Sequence, residues 1–374
     1  MTAPRHIPVS RPLLNGNELK YVSECIETNW ISSIGSFVTR FENAFASWCG
    51  APHAVATSSG TTALHLLLDA LGIGPDDEII VPDLTFVATA NAVRYCGATP
   101  VFADCDPRVM VIDPNRLREK ITPRTRAIFA VHLYGHPADM DPLREIAASR
   151  GLLLLEDAAE AHGAEYKGKR VGALGHSAVF SFFGNKILTT GEGGMVLTGD
   201  ERLAARMRIL RAHGMDPNRR YWFPEIGYNY RMTNLQAAVG LAQLECAAEK
   251  LAARDRVGAL YDQLLAPLSR WLLLPQTRSW ARRVHWLYTV HVAPDAPIGR
   301  DELAARLAAR GIETRPVVIP MHRLPAYNEK NGYPGSDLAA DSGLSLPTAE
   351  NLSGEEAAYV ASALREIIEE AGCR

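Results

Sequence analysis

The sequence contains no uninterrupted run of 18 apolar residues, and its first residues, MTAPRHIPVSRPLL, contain no apolar signal core. A membrane-spanning helix needs about 20 mostly apolar residues, and a secretory signal needs an apolar central region. The absence of both predicts a cytoplasmic protein with no membrane partner.

Neither sign of charge is in large excess, because 39 Lys and Arg residues face 42 Asp and Glu residues, for a net charge of −3. A nucleic-acid groove or a surface for anionic lipids needs a basic excess, so both classes of partner are excluded. Cysteine is also sparse. The six cysteines are scattered without a CxxC pair, which predicts reduced thiols instead of a disulfide framework or a metal site.

The chain does have enough apolar residues for a sizeable core. Its 374 residues are 47% hydrophobic and 22% charged, which indicates a large domain plus a smaller one, or two of moderate size. From about residue 50 to 200, short apolar runs alternate with helical segments. The runs are EIIVP (78–82), TPVFAD (99–104), AIFAVHL (127–133), LLLLED (152–157) and AVFSFF (178–183), and the helices are Thr61–Leu71, Phe86–Cys96 and Asp141–Ser149. This alternation predicts an α/β fold with a mostly parallel sheet covered on both faces.

The last third of the chain predicts an α+β arrangement. A long helix is expected from Thr233, which has the capping-box spacing to Gln236, through a run of good helix formers. WLYTVHV (286–292) is typical of a strand. In DELAARLAARG, Asp301 is the expected helix cap and Gly311 the stop. A closing helix is expected after Ser353, with Glu356 completing a second capping box.

A lysine stands out in SFFGNKILTTGEGGMV (181–196). Lys186 lies between the apolar pairs Phe182–Phe183 and Ile187–Leu188, and a glycine-rich turn follows. These neighbours predict a lysine in a partly dry place, where its amine can act as a nucleophile toward a carbonyl.

A second candidate site lies in TSSGTTALHLLLDALG (57–72), where leucines at helical spacing predict a helix that begins near Ser59, Gly60 and Thr61. A helix N-terminus with free N–H groups, a glycine and hydroxyls can bind an anion. Ser181 is a further candidate for bonding a phosphate oxygen. The alternative is an ordinary capped helix.

The third candidate is Asp157, which ends the four-leucine strand at the edge of the sheet where ligands gather. A carboxylate there must be exposed, paired or hydrogen-bonded, because burying it alone is costly. The alternative is an aspartate that caps the next helix. His162, five residues further on, is interpreted as a packed structural histidine in preference to a catalytic base.

Together these residues suit pyridoxal 5'-phosphate. That cofactor needs a lysine amine for its aldehyde, an acid beside its pyridine nitrogen, an anion site for its phosphate and a surface against its ring. Lys186, Asp157 and the Gly60–Thr61 turn with Ser181 supply the first three. Phe86 in PDLTFVATANAV is the candidate for the ring face, although a phenylalanine by itself more often belongs to the core.

At these residues the sequence resembles the fold-type I, pyridoxal-phosphate-dependent sugar aminotransferases of the DegT/DnrJ/EryC1/StrS family. The motifs SSGTTAL, EDAAEAHGAEYKGKRVG, SFFGNKILTTGEGGM and GYNYRMTNLQAAVGLAQLE carry the resemblance in the family's order, over nearly the whole chain. It implies a large cofactor-binding α/β domain over residues 1–245 and a small α+β domain over 246–374, with an N-terminal segment that can pack on the small domain.

A narrower resemblance is carried by WISSIG, VHLYGHPADMD and SFFGNK. It is to family members that transfer an amino group from L-glutamate to C4 of GDP-4-keto-6-deoxy-D-mannose, giving GDP-perosamine. A 3-keto sugar of the mycosamine type and a dTDP- or UDP-linked 4-keto-hexose remain alternatives. Some relatives carry histidine in place of the lysine and perform a dehydration, so Lys186 favours transamination.

The resemblance also implies roles within the cofactor site. Lys186 would carry the cofactor covalently, and Asp157 would partner its pyridine nitrogen. Glu160 stands where a glutamine is often found, near the ring hydroxyl. Ser181, Gly60 and Thr61 would hold the phosphate.

Other implied roles involve a second subunit and the sugar. Asn229, in GYNYRMTN, would reach the phosphate of the neighbouring subunit's cofactor, which implies a homodimer with shared active sites. Arg231 would lie near the same interface and meet a donor carboxylate or a nucleotide phosphate. The sugar-pocket residues implied by analogy are Trp30, Ser33, His322 and Tyr327.

Two functions from other classes compete with this interpretation. One is a regulator that binds the cofactor without turnover, against which the intact set of Lys186, Asp157 and the phosphate loop argues. The other is a nicotinamide dehydrogenase. ALGIGPDDEIIVP supplies Gly72 and Gly74 but lacks the third glycine of the dinucleotide motif, and its glycines precede a strand instead of following one.

Overall fold

A computed structural model of the chain describes residues 6–373. Its strands are β1 (His53–Thr57), β2 (Glu78–Pro82), β3 (Thr99–Ala103), β4 (Cys105–Asp106), β5 (Val111–Ile112), β6 (Thr125–Val131), β7 (Leu153–Asp157), β8 (Glu165–Tyr166), β9 (Lys169–Arg170), β10 (Ser177–Ser181), β11 (Gly194–Thr198), β12 (Leu272–Leu273), β13 (Ala281–Arg282), β14 (Tyr288–Val292), β15 (Arg315–Pro316) and β16 (Gly343–Leu346).

The α-helices are α1 (Glu18–Glu27), α2 (Ser36–Cys49), α3 (Gly60–Ala70), α4 (Val87–Tyr95), α5 (Pro114–Leu117), α6 (Met140–Arg150), α7 (Glu201–Leu210), α8 (Asn234–Glu245), α9 (Ala247–Leu265), α10 (Arg300–Ala309), α11 (Pro334–Ser342) and α12 (Gly354–Gly372). Four short 3₁₀ segments cover Arg118–Lys120, Leu133–Gly135, Ala266–Leu268 and Met321–Arg323.

A seven-stranded sheet forms the centre of the larger core, in the order β1-β11-β10-β7-β6-β2-β3. Its strands are parallel except for β11, which runs antiparallel to both β1 and β10. Most of their residues are buried, because helices cover the sheet. The predicted α/β class is therefore confirmed. Since the parallel strands share one direction, residues that follow β1, β2, β6, β7 and β10 meet at one edge of the sheet.

The helix that follows β1 begins where the sequence predicts. Ser59 is the N-cap of α3, and its hydroxyl accepts a hydrogen bond from the backbone N–H of Thr62. The Thr62 side chain bonds back to the Ser59 backbone, which completes a capping box. The N-terminus of α3 is thereby fixed at the sheet edge.

The single long helix predicted from Thr233 is wrong in one respect. The capping box of Thr233 and Gln236 is present, but the helix ends at Glu245, and α9 begins at Ala247 after a break at Cys246. The residues on both sides are good helix formers, so propensity alone could not show the break. Packing decides it: α8 packs against α1 and α2 beside the sheet, whereas α9 packs mainly against α12.

The cap predicted for α10 is also displaced. Gly299 is the N-cap, and Asp301 lies within the first turn of the helix, where its negative charge still interacts favourably with the helix dipole. Gly311 has a φ of 75° just beyond the helix end, as expected for a stop glycine. The capping box of Ser353 and Glu356 at α12 is confirmed.

A second, smaller core is built from the C-terminal part of the chain. The antiparallel sheet β12-β14-β16-β15 packs with α9, α10 and α12 around this core. Ile7 is buried in it, and its backbone exchanges hydrogen bonds with Gly311 (2.8 Å) and Glu313 (2.9 Å). The domain division at 245/246 stays a prediction, and residues 1–5 and 374 of the proposed domains lie outside the described residues.

Among residues 6–373, no helix is long and apolar enough to cross a membrane. All six cysteines carry free thiols. Within the same described range, no group of three or more His, Cys, Asp and Glu side chains is arranged to hold a metal ion.

A buried arginine joins the two cores. The Arg254 side chain on α9 is 1% exposed and pairs with Glu350 at 2.9 Å. Its Nη1 donates hydrogen bonds to the carbonyls of Trp286 (2.6 Å) and Thr348 (2.9 Å). The guanidinium therefore ties α9 to the segment that enters β14 and to the loop after β16.

Replacing Arg254 with methionine should lower the free energy of unfolding by about 3–5 kcal/mol, since it leaves the Glu350 carboxylate buried without its partner. The midpoint and slope of urea unfolding measure this loss. Arg126→Met is the control, because Arg126 is half-exposed and pairs with Asp77 at 3.2 Å. That exposed pair should contribute less than about 1 kcal/mol. Equal losses in the two variants would contradict the structural role of Arg254.

Candidate active site

A cavity of about 520 Å³ opens at the sheet edge where the parallel strands end. The segments that follow β1, β2, β6, β7 and β10 all contribute to its walls, together with residues that flank β14 and β15. Seven of the predicted cofactor residues line it: Gly60, Thr61, Phe86, Asp157, Glu160, Ser181 and Lys186. The fold thus brings together residues that are up to 126 positions apart in the sequence, from Gly60 to Lys186.

The Lys186 side chain is only 11% exposed, so the lysine lies in the dry environment that its apolar neighbours predict. Its Nζ is 3.4 Å from Glu160 Oε1 and 3.9 Å from the centre of the Trp286 ring. An ammonium is attracted both to a carboxylate and to the face of an indole. These two contacts hold the amine inside the cavity.

Asp157 lies at the carboxyl end of β7 and is buried. Thr89 Oγ1 donates a hydrogen bond to its Oδ2 at 2.7 Å, and the backbone N–H of Ala159 donates to Oδ1 at 3.1 Å. Burial raises the pKa of Asp157, and both hydrogen bonds and the charge of Lys186 act in the opposite direction. The carboxylate is therefore oriented, and a positive partner in the cavity would favour its ionised form.

Glu160 lies on the turn after β7 and faces the same lysine. Its Oε2 accepts a hydrogen bond from the backbone N–H of Tyr134 at 2.9 Å. Burial raises the pKa of Glu160, while the charge of Lys186 is the main effect that lowers it. The charge of Asp157, three residues earlier in the sequence, raises the pKa of Glu160 further. Glu160 is thus a carboxyl group whose protonation depends on the charge of Lys186.

The N-terminus of α3 and the end of β10 lie very close together. A Cβ atom added at Gly60 would meet Ser181 Cβ at 2.8 Å, so a larger residue at this position would fill the space between the two segments. Ser59, Gly60 and Thr61 present the first N–H groups of the helix beside the Ser181 hydroxyl. This is a suitable cradle for a phosphate group. With a lysine, a buried acid and an anion cradle in one cavity, the residues present fit pyridoxal 5'-phosphate.

The residue before Asp157 is fixed by a buried network. Glu156 accepts hydrogen bonds from His132 Nε2 (3.0 Å) and from the backbone N–H groups of Gly172 (2.8 Å), Leu174 and Gly175 (both 2.7 Å). Burial opposes ionisation of Glu156, but His132 and the N–H groups outweigh it, and its pKa is lowered. The network holds the end of β7 and so supports the position of Asp157.

The structure decides between the alternatives left open for Phe86 and His162. Phe86 lines the cavity and is 58% exposed, so its ring is available to a ligand and is not part of the core. His162 is buried within 5.3 Å and 5.4 Å, ring centre to ring centre, of Phe182 and Phe180. Burial lowers the pKa of His162 to about 3, which confirms it as a neutral, packed histidine.

The other predicted site residues lie outside this cavity in the single chain. His322 pairs with Asp83 at 2.7 Å, and the Tyr327 hydroxyl donates to Asn91 at 2.7 Å. Arg231 Nε bonds to Asn229 Oδ1 at 3.2 Å. Trp30 and Ser33 lie on the segment before α2, and Trp30 is 55% exposed. Their roles toward the sugar or a partner subunit stay predictions.

Four residues of the site were not predicted from the sequence: Tyr134, Trp286 and Arg315, which line the cavity, and Thr89, which bonds to Asp157. Thr89 follows Phe86 by one helical turn, which is a usable signal. Tyr134 lies in VHLYGHPADMD and has a φ of 50°, a left-handed conformation that is costly for a bulky residue and typical of functional sites. Trp286 and Arg315 come from the last quarter of the chain and have no local signal that separates them from core and surface residues.

The parallel sheet and the lysine-containing cavity at its carboxyl edge are those of a pyridoxal-phosphate-dependent enzyme. The chain belongs to the DegT/DnrJ/EryC1/StrS aminotransferase family, whose model matches residues 12–365. The resemblance inferred from the motifs is therefore confirmed, as are the class of enzyme and its cofactor.

Curated relatives and solved structures agree with this membership. A GDP-perosamine synthase of Caulobacter vibrioides is 53% identical over 97% of this chain and 98% of its own length. The GDP-perosamine synthase of Escherichia coli O157:H7 is 44% identical over the same shares. The structure of DesV from S. venezuelae in complex with a ketimine intermediate superimposes with a TM-score of 0.88, at 40% identity and 94% coverage of both chains.

Proposed function

We propose that this protein transfers the amino group of L-glutamate to GDP-4-keto-6-deoxy-D-mannose, giving GDP-perosamine. The observation that carries the chemistry is Lys186, held beside Glu160 in a cavity that also contains Asp157 and a phosphate cradle. The choice of sugar is supported by the names of the relatives at 53% and 44% identity, which cover almost the whole chain.

The proposed roles within the cavity rest on the family resemblance and on the position of each residue in the cavity. Lys186 would attach the cofactor through its amine, and the Asp157 carboxylate would pair with the pyridine nitrogen. Glu160 would lie near the ring hydroxyl, and Phe86 would cover one face of the ring. Ser181, Gly60 and Thr61 would bind the phosphate. The bound cofactor supplies an aldehyde that accepts the amino group and a ring that withdraws electrons from the reacting carbon.

Lys186 is also the proposed proton carrier. Glu160 and the Trp286 ring would keep the Lys186 amine within the cavity when it is not attached to the cofactor, so that its Nζ could accept a proton from the substrate carbon and return it. Thr89 and the Ala159 N–H hold Asp157 in one orientation through both halves of the reaction. The buried walls of the cavity limit the access of water to the reacting atoms.

A second copy of the chain completes the proposed site. Asn229 and Arg231 lie outside the cavity of their own chain and are proposed to act in the cavity of a partner, as a homodimer with shared active sites requires. The proposed sugar contacts are Trp30, Ser33, His322 and Tyr327. The donor and the dimer are parts of this proposal.

A substrate panel tests the proposal. The protein, loaded with cofactor, is incubated with L-glutamate and with GDP-, dTDP- and UDP-linked 4-keto and 3-keto sugars. Product mass and the position of the new amine are then determined. We expect GDP-4-keto-6-deoxymannose to be aminated at C4 with the highest kcat/KM. A higher kcat/KM for a dTDP- or UDP-linked sugar, or amination at C3, would replace the proposed substrate, and no conversion of any sugar would refute the function.

A further inference from the structure

We propose that Arg315 binds a carboxylate of the amino-acid donor and so serves as the donor-recognition residue of this active site. This inference rests on the proposed function and assigns the part of the cavity that receives the donor. The proposed cofactor contacts leave one lysine or arginine on the cavity wall, Arg315, without a role.

Among the described residues that line the cavity, Lys186 and Arg315 are the only lysine or arginine. Lys186 faces Glu160 and is assigned to the cofactor, and Asp157 and Glu160 are negative when ionised. A donor amino acid brings a carboxylate into this acidic surrounding. An anion that leaves water needs a cation or several hydrogen-bond donors, and Arg315 is the remaining cation on the wall.

The Arg315 guanidinium is free to accept a ligand. Within residues 6–373, no group accepts a hydrogen bond from it, and its one charged neighbour is Glu313, with Nη2 and Oε1 3.8 Å apart. Glu313 is itself engaged, because its Oε2 accepts from the backbone N–H of Val9 at 3.1 Å. A guanidinium has five N–H donors in a planar fork that matches a carboxylate. The Arg315 side chain is 42% exposed, so a ligand can reach it from the cavity.

Arg231, the other candidate for this role, is differently placed. Its guanidinium already bonds to Asn229 Oδ1 through Nε (3.2 Å) and Nη2 (3.1 Å), and Nη2 also lies 3.2 Å from His213 Nε2. Arg231 does not line the cavity of its own chain, whereas Arg315 does. Arg231 is therefore better suited to the partner's site or to a nucleotide phosphate.

Contacts between side chains link the segment that contains Arg315 to Lys186. The Tyr134 hydroxyl accepts a hydrogen bond from the backbone N–H of Val318 at 3.2 Å. The Tyr134 ring stacks on the Trp286 ring with centres 5.8 Å apart. Lys186 Nζ lies over the same Trp286 ring, 3.9 Å from its centre. The segment of residues 315–318, Tyr134, Trp286 and Lys186 thus form one continuous surface.

This position favours a carboxylate over the diphosphate of the nucleotide sugar. In an α-amino acid, the carboxylate is bonded directly to the carbon that carries the reacting amine. In a 4-keto sugar nucleotide, the sugar ring separates the reacting carbon from the phosphates. A cation that lines the same cavity as Lys186 therefore matches the geometry of the amino acid.

The inference is tested by Arg315→Gln with two readouts. Isothermal titration of the cofactor-loaded protein with glutarate, a dicarboxylate without an amine, measures binding independently of turnover. The glutamate and keto-sugar half-reactions are then followed separately through the visible absorbance of the cofactor. We expect Arg315→Gln to weaken glutarate binding, and to raise the glutamate concentration for half-maximal conversion, by roughly 10- to 100-fold. The keto-sugar half-reaction should change by less than about twofold.

Comparison variants sharpen the test. Arg315→Lys should recover part of the glutarate affinity, since a lysine keeps the charge but loses the planar fork. Arg126 is half-exposed and does not line the cavity, so Arg126→Gln should leave both half-reactions unchanged. The inference is overturned if Arg315→Gln binds glutarate like the unaltered protein, or if only the keto-sugar half-reaction weakens, which would assign Arg315 to the diphosphate.

If Arg231→Gln loses glutarate binding and Arg315→Gln retains it, the donor-recognition role belongs to Arg231. If glutamate does not convert the unaltered protein, the proposed function fails, and the glutarate titration still decides whether Arg315 binds a carboxylate. Absence of glutarate binding to the unaltered protein would count against Arg315.

Discussion

Lys186→Ala is expected to lower turnover by roughly 10,000-fold or more, because in the proposed mechanism this one side chain both attaches the cofactor and carries the proton. The fold should survive, since the lysine's polar contacts in the cavity are the 3.4 Å pair with Glu160 and the Trp286 ring. Single-turnover conversion by glutamate measures the chemical loss. Borohydride reduction followed by peptide mapping should label the peptide that contains Lys186 in the unaltered protein and nothing in the variant.

Two further lysine variants separate charge from chemistry. Lys186→Arg keeps a cation beside Glu160 and Trp286 but supplies no nucleophilic amine, so it should be as inactive as the alanine variant. Lys167→Ala removes an exposed lysine that pairs with Asp141 and should be fully active. Turnover retained in Lys186→Arg, or a borohydride label on another lysine, would remove Lys186 from the proposed mechanism.

The part of the site that sequence could predict is the part built on successive strand ends. Asp157 and Ser181 end β7 and β10, and the N-terminus of α3 follows β1, so their meeting at one edge follows from a parallel sheet alone. The apolar runs placed the central strands to within about two residues for the same reason. Here local pattern and global fold agree.

The rest of the site depends on where the C-terminal part of the chain returns to the sheet. Trp286 reaches Lys186 across 100 positions of sequence, and its place is set by Arg254, which binds its carbonyl at 2.6 Å. No local pattern encodes that return path. The break at Cys246 has the same origin, because it divides a continuous run of helix formers between two packing partners.

Replacing Asp157 with asparagine is expected to have the second-largest effect. The carboxylate should stabilise a positive pyridine nitrogen by a few kcal/mol, so its loss should slow conversion by roughly 100- to 10,000-fold. The phosphate cradle and Lys186 remain, and the cofactor should still be trapped by borohydride. Conversion by glutamate under single-turnover conditions measures the effect. A variant with unaltered rates would show that Asp157 is not the partner of the ring nitrogen.

The same carboxyl group predicts a pH dependence with a definite sign. Burial raises the pKa of Asp157 above its ordinary value, so the cofactor-free protein protonates this group at a higher pH than an exposed aspartate. A protonated carboxyl cannot pair with a positive nitrogen. Cofactor affinity should therefore be highest above the raised pKa and should fall as the pH is lowered through it.

The variant Thr89→Val tests whether Asp157 is the group that controls this pH dependence. It removes the 2.7 Å hydrogen bond that lowers the pKa of Asp157, so the fall in cofactor affinity should move to higher pH. In Asp157→Asn the corresponding pH dependence should disappear. Glu160→Gln is the comparison variant: it removes a carboxyl group that repels Asp157, so the Asp157 transition should persist and move to lower pH, opposite to Thr89→Val. Spectroscopic titration of the apoprotein with cofactor across the acidic range measures all four proteins, and a shift to lower pH in Thr89→Val would contradict the assignment, because the hydrogen bond could then not be stabilising the ionised carboxylate.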